Sequence, residues 1–199
     1  MTISYTIANS LYLNITNKCN CACVFCVRNL SDGIGDGDNL WLDHDPSADE
    51  VIADIKKRGP LKYDEVVFCG YGEPTESLDV LLSVSRFLKE NYPQIPVRLN
   101  TNGLSDLSRG KQTAPLLKGL VDAVSISLNA PNRQRYSEVT NPVFGEVAYD
   151  AMIRFAKSVK ESVPRVTFTV VNVLSKEELT ECEKLAADMG IPLRVRGNI

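Results

Sequence analysis

Histidine is almost missing from this chain: His44 is the only one among 199 residues. That excludes a His-rich metal site and argues against any histidine-based catalytic triad. An excess of one charge is missing as well. The 22 Lys and Arg against 25 Asp and Glu leave a net charge of -3, and the pI is near 5.3, which argues against a general nucleic-acid footprint. No apolar run approaches the roughly 18 residues of a membrane span, and no basic-then-apolar signal opens the sequence. The chain is therefore expected in the cytoplasm, with neither membrane nor nucleic acid among its partners. Internal repeats, linkers and low-complexity tracts are absent too. What remains is an ordinary globular composition, 44% hydrophobic and 24% charged, with a mean hydropathy of -0.10. A length of 199 residues suits a single domain over 1–199, able to bury about 70% of its unfolded surface without a disulfide or metal to hold the core.

Strand and helix patterns alternate from end to end. Short runs rich in Val, Ile, Leu and Phe, bounded by turn residues, predict strands at 11–15, 64–69, 97–100, 122–129, 166–172 and 192–197. Ser47 and Glu50 have capping-box spacing ahead of Val51, Ile52 and Ile55. Ser175 and Glu178 repeat it ahead of Leu179, Cys182, Leu185, Ala186 and Met189, with Gly190 as the stop. Helical periodicity also links Leu78, Leu81, Leu82, Ser85 and Leu88, and again Ala148, Ala151, Met152, Phe155, Ala156 and Val159. A less regular stretch, 114–119, supplies the remaining helix.

Such an alternation makes an α/β fold with a parallel sheet. An open, partial barrel of six strand–helix units fits the length, since eight units want about 250 residues; a doubly wound sheet competes. Alternation within the strands favours the barrel. Val124, Ile126 and Leu128 oppose Ser125, Ser127 and Asn129, and Leu193 and Val195 oppose Arg194 and Arg196. Val97 and Leu99 likewise oppose Arg98 and Asn100, and Leu11, Leu13 and Ile15 oppose Tyr12, Asn14 and Thr16. A sheet covered on both faces would read as nearly continuous apolar runs. Here the apolar faces are expected to pack on helices and the polar faces to line a wet interior.

Cysteine is where the sequence becomes specific. Six are present, and four crowd into Cys19-Asn20-Cys21-Ala22-Cys23-Val24-Phe25-Cys26, directly after the first strand. A disulfide framework does not suit a chain without a secretion signal. A structural zinc site needs four ligands, but no second CxxC pair is present. The third reading is an iron–sulfur cubane held by Cys19, Cys23 and Cys26. Electron carriers use four cysteines, so three would leave one iron open to a substrate. Phe25 would cover the cluster and limit solvent access. Strand ends elsewhere carry matching polar chemistry. The second ends in Gly70-Tyr71-Gly72-Glu73-Pro74, where glycines permit close backbone approach and the Glu73 carboxylate can pair with an ammonium group.

The C-x3-C-x-aromatic-C spacing resembles the motif of the radical S-adenosylmethionine (SAM) superfamily. The Gly70–Pro74 segment is similar to the superfamily's GGEP motif, which binds the SAM amino group, with Tyr71 standing where a glycine is usual. Asn100-Thr101-Asn102-Gly103 is similar to a TNG segment of small activating enzymes, and Ser127 and Asn129 lie where relatives contact ribose and carboxylate. Asn172 and the Arg196-Gly197-Asn198 stretch end the last two strands. The segments around Leu11–Asn17, Cys26–Asn29 and Leu40–Leu42 look like short radical SAM proteins associated with TatD-family hydrolases. The resemblance implies an open partial barrel of the radical SAM type, a 4Fe-4S cluster on Cys19, Cys23 and Cys26, and SAM bound by Phe25, Gly70, Tyr71, Gly72, Glu73, Asn100, Asn102, Ser127, Asn129, Asn172 and Arg196. It also implies reductive SAM cleavage to a 5'-deoxyadenosyl radical that takes hydrogen from a substrate. An external flavodoxin- or ferredoxin-type donor and a functional link to a TatD-type hydrolase follow from the same resemblance. An activase acting on a partner protein and a non-enzymatic zinc or iron–sulfur protein are the alternatives.

Other features have plainer readings. Arg98, Arg194 and Arg196 alternate with apolar residues, so they either hold an anionic group of cofactor or substrate or sit on frayed surface strands. Cys21 is out of register with the other three cysteines and reads as a spectator, Cys69 as a small residue near the site, and Cys182 as core. The glycine- and acid-rich 32–38 stretch reads as a mobile loop over the cluster, with Trp41 anchoring its far end.

Overall fold

The computed structural model describes residues 1–29 and 33–197. Asp32 and Asn198, singled out in the sequence, lie outside the described residues. Seven strands form one sheet in chain order: β1 (Ser4–Ile7), β2 (Ser10–Leu13), β3 (Glu65–Phe68), β4 (Val97–Thr101), β5 (Ala123–Ser127), β6 (Arg165–Val171) and β7 (Leu193–Arg196). β1 pairs antiparallel with β2, and every later pairing is parallel. β1 and β7 are the two edges of the sheet order, so the sheet curves without closing. The six parallel strands match the expected partial barrel. β1 was not anticipated.

Helices cover the outer face. α1 (Ala48–Arg58) and α6 (Lys176–Asp188) both begin with the expected capping boxes, on Ser47 and Ser175, in which two backbone donors are satisfied reciprocally. α2 (Leu78–Asn91) and α5 (Val147–Ser162) follow the apolar stripes read from the sequence. The 114–119 expectation needs correction. A short α3 (Ser105–Arg109) and a 3-10 turn at Ala114–Leu117 share that crossover, because Pro115 has no N–H to continue a helix. α4 (Arg133–Thr140) was unforeseen; only Tyr136, Val139 and Thr140 of it are buried, too few for an apolar stripe.

The larger of two buried apolar clusters among the described residues lies between sheet and helices; the smaller joins Tyr5, Leu40 and Tyr71. Val66, Phe68, Leu99, Val124, Ile126 and Phe168 from the strands pack with Ile55, Leu81, Leu88, Met152, Phe155 and Val159. Cys182 is fully buried in this core, as its helical register predicts. Fully burying a Val, Leu, Ile, Phe or Met side chain of this layer stabilises by about 1.5–3 kcal/mol relative to leaving it exposed. Val195 departs from the expected pattern: it is 44% exposed, because β7 is an edge strand.

Candidate functional site

The concave face carries a cavity of about 820 Å³, and the polar faces of the strands line it as their alternation predicts. Tyr12, Cys69, Arg98, Asn100, Ser127, Asn129, Arg194 and Arg196 all contribute. So do Cys19, Cys21, Cys23, Phe25 and Cys26. A smaller cavity, about 400 Å³, lies at the N-terminal ends of β6 and β7, lined by residues such as Lys160, Arg165 and Gly190, and no cysteine or carboxylate faces it.

The cysteine loop is fastened on two sides. Toward α4, the Ala22 amide donates to Thr140 O (3.0 Å), Val24 N to Val139 O (3.0 Å) and Val143 N to Asn20 O (3.0 Å). Toward β3, Glu73 N donates to Lys18 O at 2.8 Å. The unforeseen α4 is therefore one wall of the loop's seat. Burial pushes the Cys19 thiol up to about 12, with the Glu73 carboxylate adding to the shift. A hydrogen bond from the Cys21 thiol holds Cys23 below its ordinary value, and Arg28 and Arg196 favour the same anionic form. Cys21 is 5% exposed and accepts from Asn102 Nδ2 at 3.6 Å.

Gly70 and Gly72 line the cavity and are also needed for chain packing. A Cβ on Gly70 would stand 2.1 Å from Asn14 Oδ1, and one on Gly72 would stand 2.2 Å from Thr16 O and 2.7 Å from Lys18 O. The glycines let the β3 turn lie against the backbone that leads into the cysteine loop. Asn14, missed as a site residue, completes the joint: its Nδ2 donates to Leu40 O (2.6 Å) and its Oδ1 accepts from Tyr71 N (3.2 Å). Tyr71 is 3% exposed and meets Trp41 edge-on, with ring centroids 5.1 Å apart. Trp41 thus anchors its loop as expected. The 33–38 part of that loop is held on β1, where Asp36 accepts from Thr6 N and from Arg58 Nη1.

Glu73 is the hub of the site. Its Oε1 accepts from Thr75 N (3.1 Å), Thr75 Oγ1 (2.8 Å) and Thr101 Oγ1 (2.7 Å), and its Oε2 accepts from Asn102 N (2.7 Å). Burial pushes its carboxyl upward and these donors oppose the shift. Oε2 keeps capacity for one further donor. Asn102 also donates from Nδ2 to Asn20 Oδ1 at 2.6 Å, which ties the end of β4 to the cysteine loop. Asn129 adopts a left-handed φ of 57° and is 4% exposed. Asn172 falls elsewhere: it is exposed, and its neighbours Val171 and Val173 line the cavity instead. Tyr136 of α4, absent from the sequence-based candidates, lines the cavity too.

Arg98 corrects the expectation that it would hold a ligand's anion. It forms a two-pronged pair with Glu65, Nη2–Oε1 at 2.6 Å and Nε–Oε2 at 3.0 Å, and donates from Nη1 to Asn100 Oδ1 at 2.9 Å.

Three buried polar atoms facing this cavity have no partner among the described residues: Asn129 Oδ1, Tyr136 Oη and Arg196 Nε. Native interiors leave few such atoms unpaired, and three around one cavity mark a place built for a polar ligand. Soft thiolates at one end suit an iron–sulfur cluster.

The radical SAM superfamily model matches residues 13–189. The chain belongs to the radical SAM superfamily. This enzyme superfamily uses a 4Fe-4S cluster and SAM, the cofactors the resemblance implies. Two curated relatives are both GTP 3',8-cyclases. The protein of Paenarthrobacter nicotinovorans is 27% identical over 69% of this chain and 36% of its own length. That of Clostridium perfringens (strain 13 / Type A) is 24% identical over 92% of this chain and 53% of its own. The chain therefore spans about half the length of these relatives or less. Among solved structures, Streptococcus suis SuiB bound to S-adenosylmethionine is similar with a TM-score of 0.64 at 19% identity, over 94% of this chain and 38% of that one. Native anSMEcpe with bound AdoMet and Cp18Cys peptide gives 0.68 at 20% identity, over 96% and 51%. These likenesses establish the radical SAM fold. Among the described residues, no helix is long and apolar enough to cross a membrane.

Proposed function

We propose that residues 1–199 act as one radical SAM core domain in the cytoplasm, cleaving SAM reductively and abstracting hydrogen from a substrate. The observation that carries this reading is the meeting of Cys19, Cys23 and Cys26 with Glu73, Asn102 and Asn129 around one cavity. Cys19, Cys23 and Cys26 would hold a 4Fe-4S cluster, and the cluster would supply the electron for reductive cleavage of SAM bound beside it.

The chain's own residues do the positioning. Oε2 of Glu73 takes the SAM ammonium, and the Thr75 and Thr101 hydroxyls hold that carboxylate in place. Asn129 Oδ1, Ser127 and Asn100 offer polar contacts to the ribose and carboxylate, while Phe25 and Tyr71 exclude water near the thiolates. Gly70 and Gly72 serve the site by seating its two loops against each other. An external one-electron donor of flavodoxin or ferredoxin type completes the reaction, since Cys69 and Cys182 stand apart from the cysteine loop in sequence. The resemblance to TatD-associated proteins adds a functional link to such a hydrolase.

The test is anaerobic reconstitution with iron and sulfide, reduction, addition of SAM and assay for 5'-deoxyadenosine. The wild-type chain is expected to form it, and a Cys19→Ala, Cys23→Ala, Cys26→Ala variant of unchanged circular dichroism is expected to form none. Stoichiometric zinc without an iron cluster, or a loaded and reduced cluster that never cleaves SAM, overturns the reading.

A further inference from the structure

Two arginines facing the same cavity have opposite circumstances. Arg98 has its charge matched by Glu65. Arg196 forms no ion pair among the described residues, and its Nε is buried without a partner. No carboxylate among the described residues pairs with Arg196. Cys23, a proposed cluster ligand, is the nearby group whose anionic form it favours; Arg194 and Arg98 are like charges, and burial pushes the Cys69 thiol up. Desolvation is the largest cause holding the Arg196 guanidinium below its ordinary value; Cys69 opposes it, Arg194 and Arg98 add to it, and Tyr12 offsets part. A guanidinium does not give up its proton in a protein, so its removal from water calls for an anion. Arg194, two residues earlier on β7, lines the same cavity from an exposed position and adds a second cation beside it.

We propose that Arg196 and Arg194 form an oxyanion subsite for the substrate, separate from the SAM site. The substrate class is accordingly a molecule bearing a phosphate or carboxylate group. Position separates the two sites and takes Arg196 out of the SAM set that the resemblance implied. The groups given to SAM in the proposed function gather at the ends of β3, β4 and β5 and in the cysteine loop, whereas both arginines belong to β7 at the open edge of the sheet. Two planar forks on adjacent same-face positions suit two-point binding of an oxyanion. The inference rests on the radical SAM reading for the word substrate, while the subsite itself can be measured without it.

The probes are inorganic phosphate and acetate, titrated calorimetrically into the chain with and without its cluster and with and without saturating SAM. Phosphate, acetate or both should bind, and the tighter of the two tells which oxyanion the subsite prefers. That binding should survive SAM addition. Arg196→Gln should weaken it by about tenfold or more, Arg194→Gln by less, and Arg196→Lys should restore part of it, all with unchanged thermal midpoints and unchanged SAM affinity. No binding of either anion by the wild-type chain overturns the proposal. So does displacement of SAM by phosphate, or an Arg196→Gln variant that loses SAM and phosphate affinity alike, because the arginines would then hold the SAM carboxylate. Failure of SAM to bind or be cleaved, with phosphate binding intact, would instead strike the radical SAM reading alone.

Discussion

The two walls of the cavity are built differently. On the β2–β3 side, backbone lies against backbone through Gly70 and Gly72, Asn14 ties three segments together, and Glu73 accepts four hydrogen bonds. On the β7 side, Val195 is 44% exposed, Gly197 has open space around it, and Arg196 has no partner carboxylate. A wall whose polar groups satisfy one another is set before any ligand arrives. A wall with unmatched charge is completed by what binds. The first suits a cofactor that is the same in every turnover, and the second suits the substrate.

Several substitutions would break or sharpen this contrast. The largest effect is expected from Gly72→Ala, whose Cβ would stand 2.2 Å and 2.7 Å from two carbonyl oxygens. Overpacking against backbone should cost about 3 kcal/mol or more, a fall in thermal midpoint of about 6–12 °C. Gly197→Ala, with nothing within 4 Å, should leave it unchanged; equal melting of the two variants would mean the walls do not differ in rigidity. Next comes Glu73→Gln. Its amide nitrogen would face the donors of Thr75, Thr101 or Asn102, a loss of about 1–3 kcal/mol, seen as a lower urea midpoint and weaker SAM binding. Glu65→Gln is a subtler probe. It strips Arg98 of its partner and makes it resemble Arg196, so phosphate affinity should rise a few-fold; an unchanged affinity would show that pairing does not govern which arginine binds anions.

The smallest effect concerns the capped start of α1. Bonds from the Ser47 amide, then from His44 and the Ser47 hydroxyl, lower the Glu50 carboxyl from 4.5 to about 2. A depressed folded-state value means stability present above pH 4.5 and lost as pH falls through about 2. Glu50→Gln should therefore melt slightly below the wild-type chain at neutral pH and match it at pH 2. A gap that persists at pH 2 would show that the charge of Glu50 is not what the cap uses.

Features confined to one segment were legible in the sequence. Alternation within single strands put Ser127, Asn129 and Arg196 on the cavity face, and the cysteine spacing named the superfamily. Features that depend on two segments meeting were not. Arg98 was correctly turned inward, but its neutralisation depends on Glu65, which lies two residues before Val67, the register partner of Arg98. The β1–β2 hairpin escaped notice because its turn is Ala8-Asn9, with Ala8 at a φ of 49° and no glycine to announce it. α4 was hidden by its composition, although its C-terminal carbonyls seat the cysteine loop. The glycines of 70–72 were noticed for close approach, but the approach of the chain's own Asn14, Thr16 and Lys18 was not foreseen.

The central claim is that three thiolates leave one iron open to SAM. Electron paramagnetic resonance of the reduced, reconstituted protein, recorded before and after SAM addition, tests it most directly. The account predicts a 4Fe-4S signal whose g-values shift on adding SAM, that persists in a Cys21→Ala variant and is lost when Cys19, Cys23 or Cys26 is replaced. A signal indifferent to SAM, or one that needs Cys21 as a fourth ligand, would contradict it.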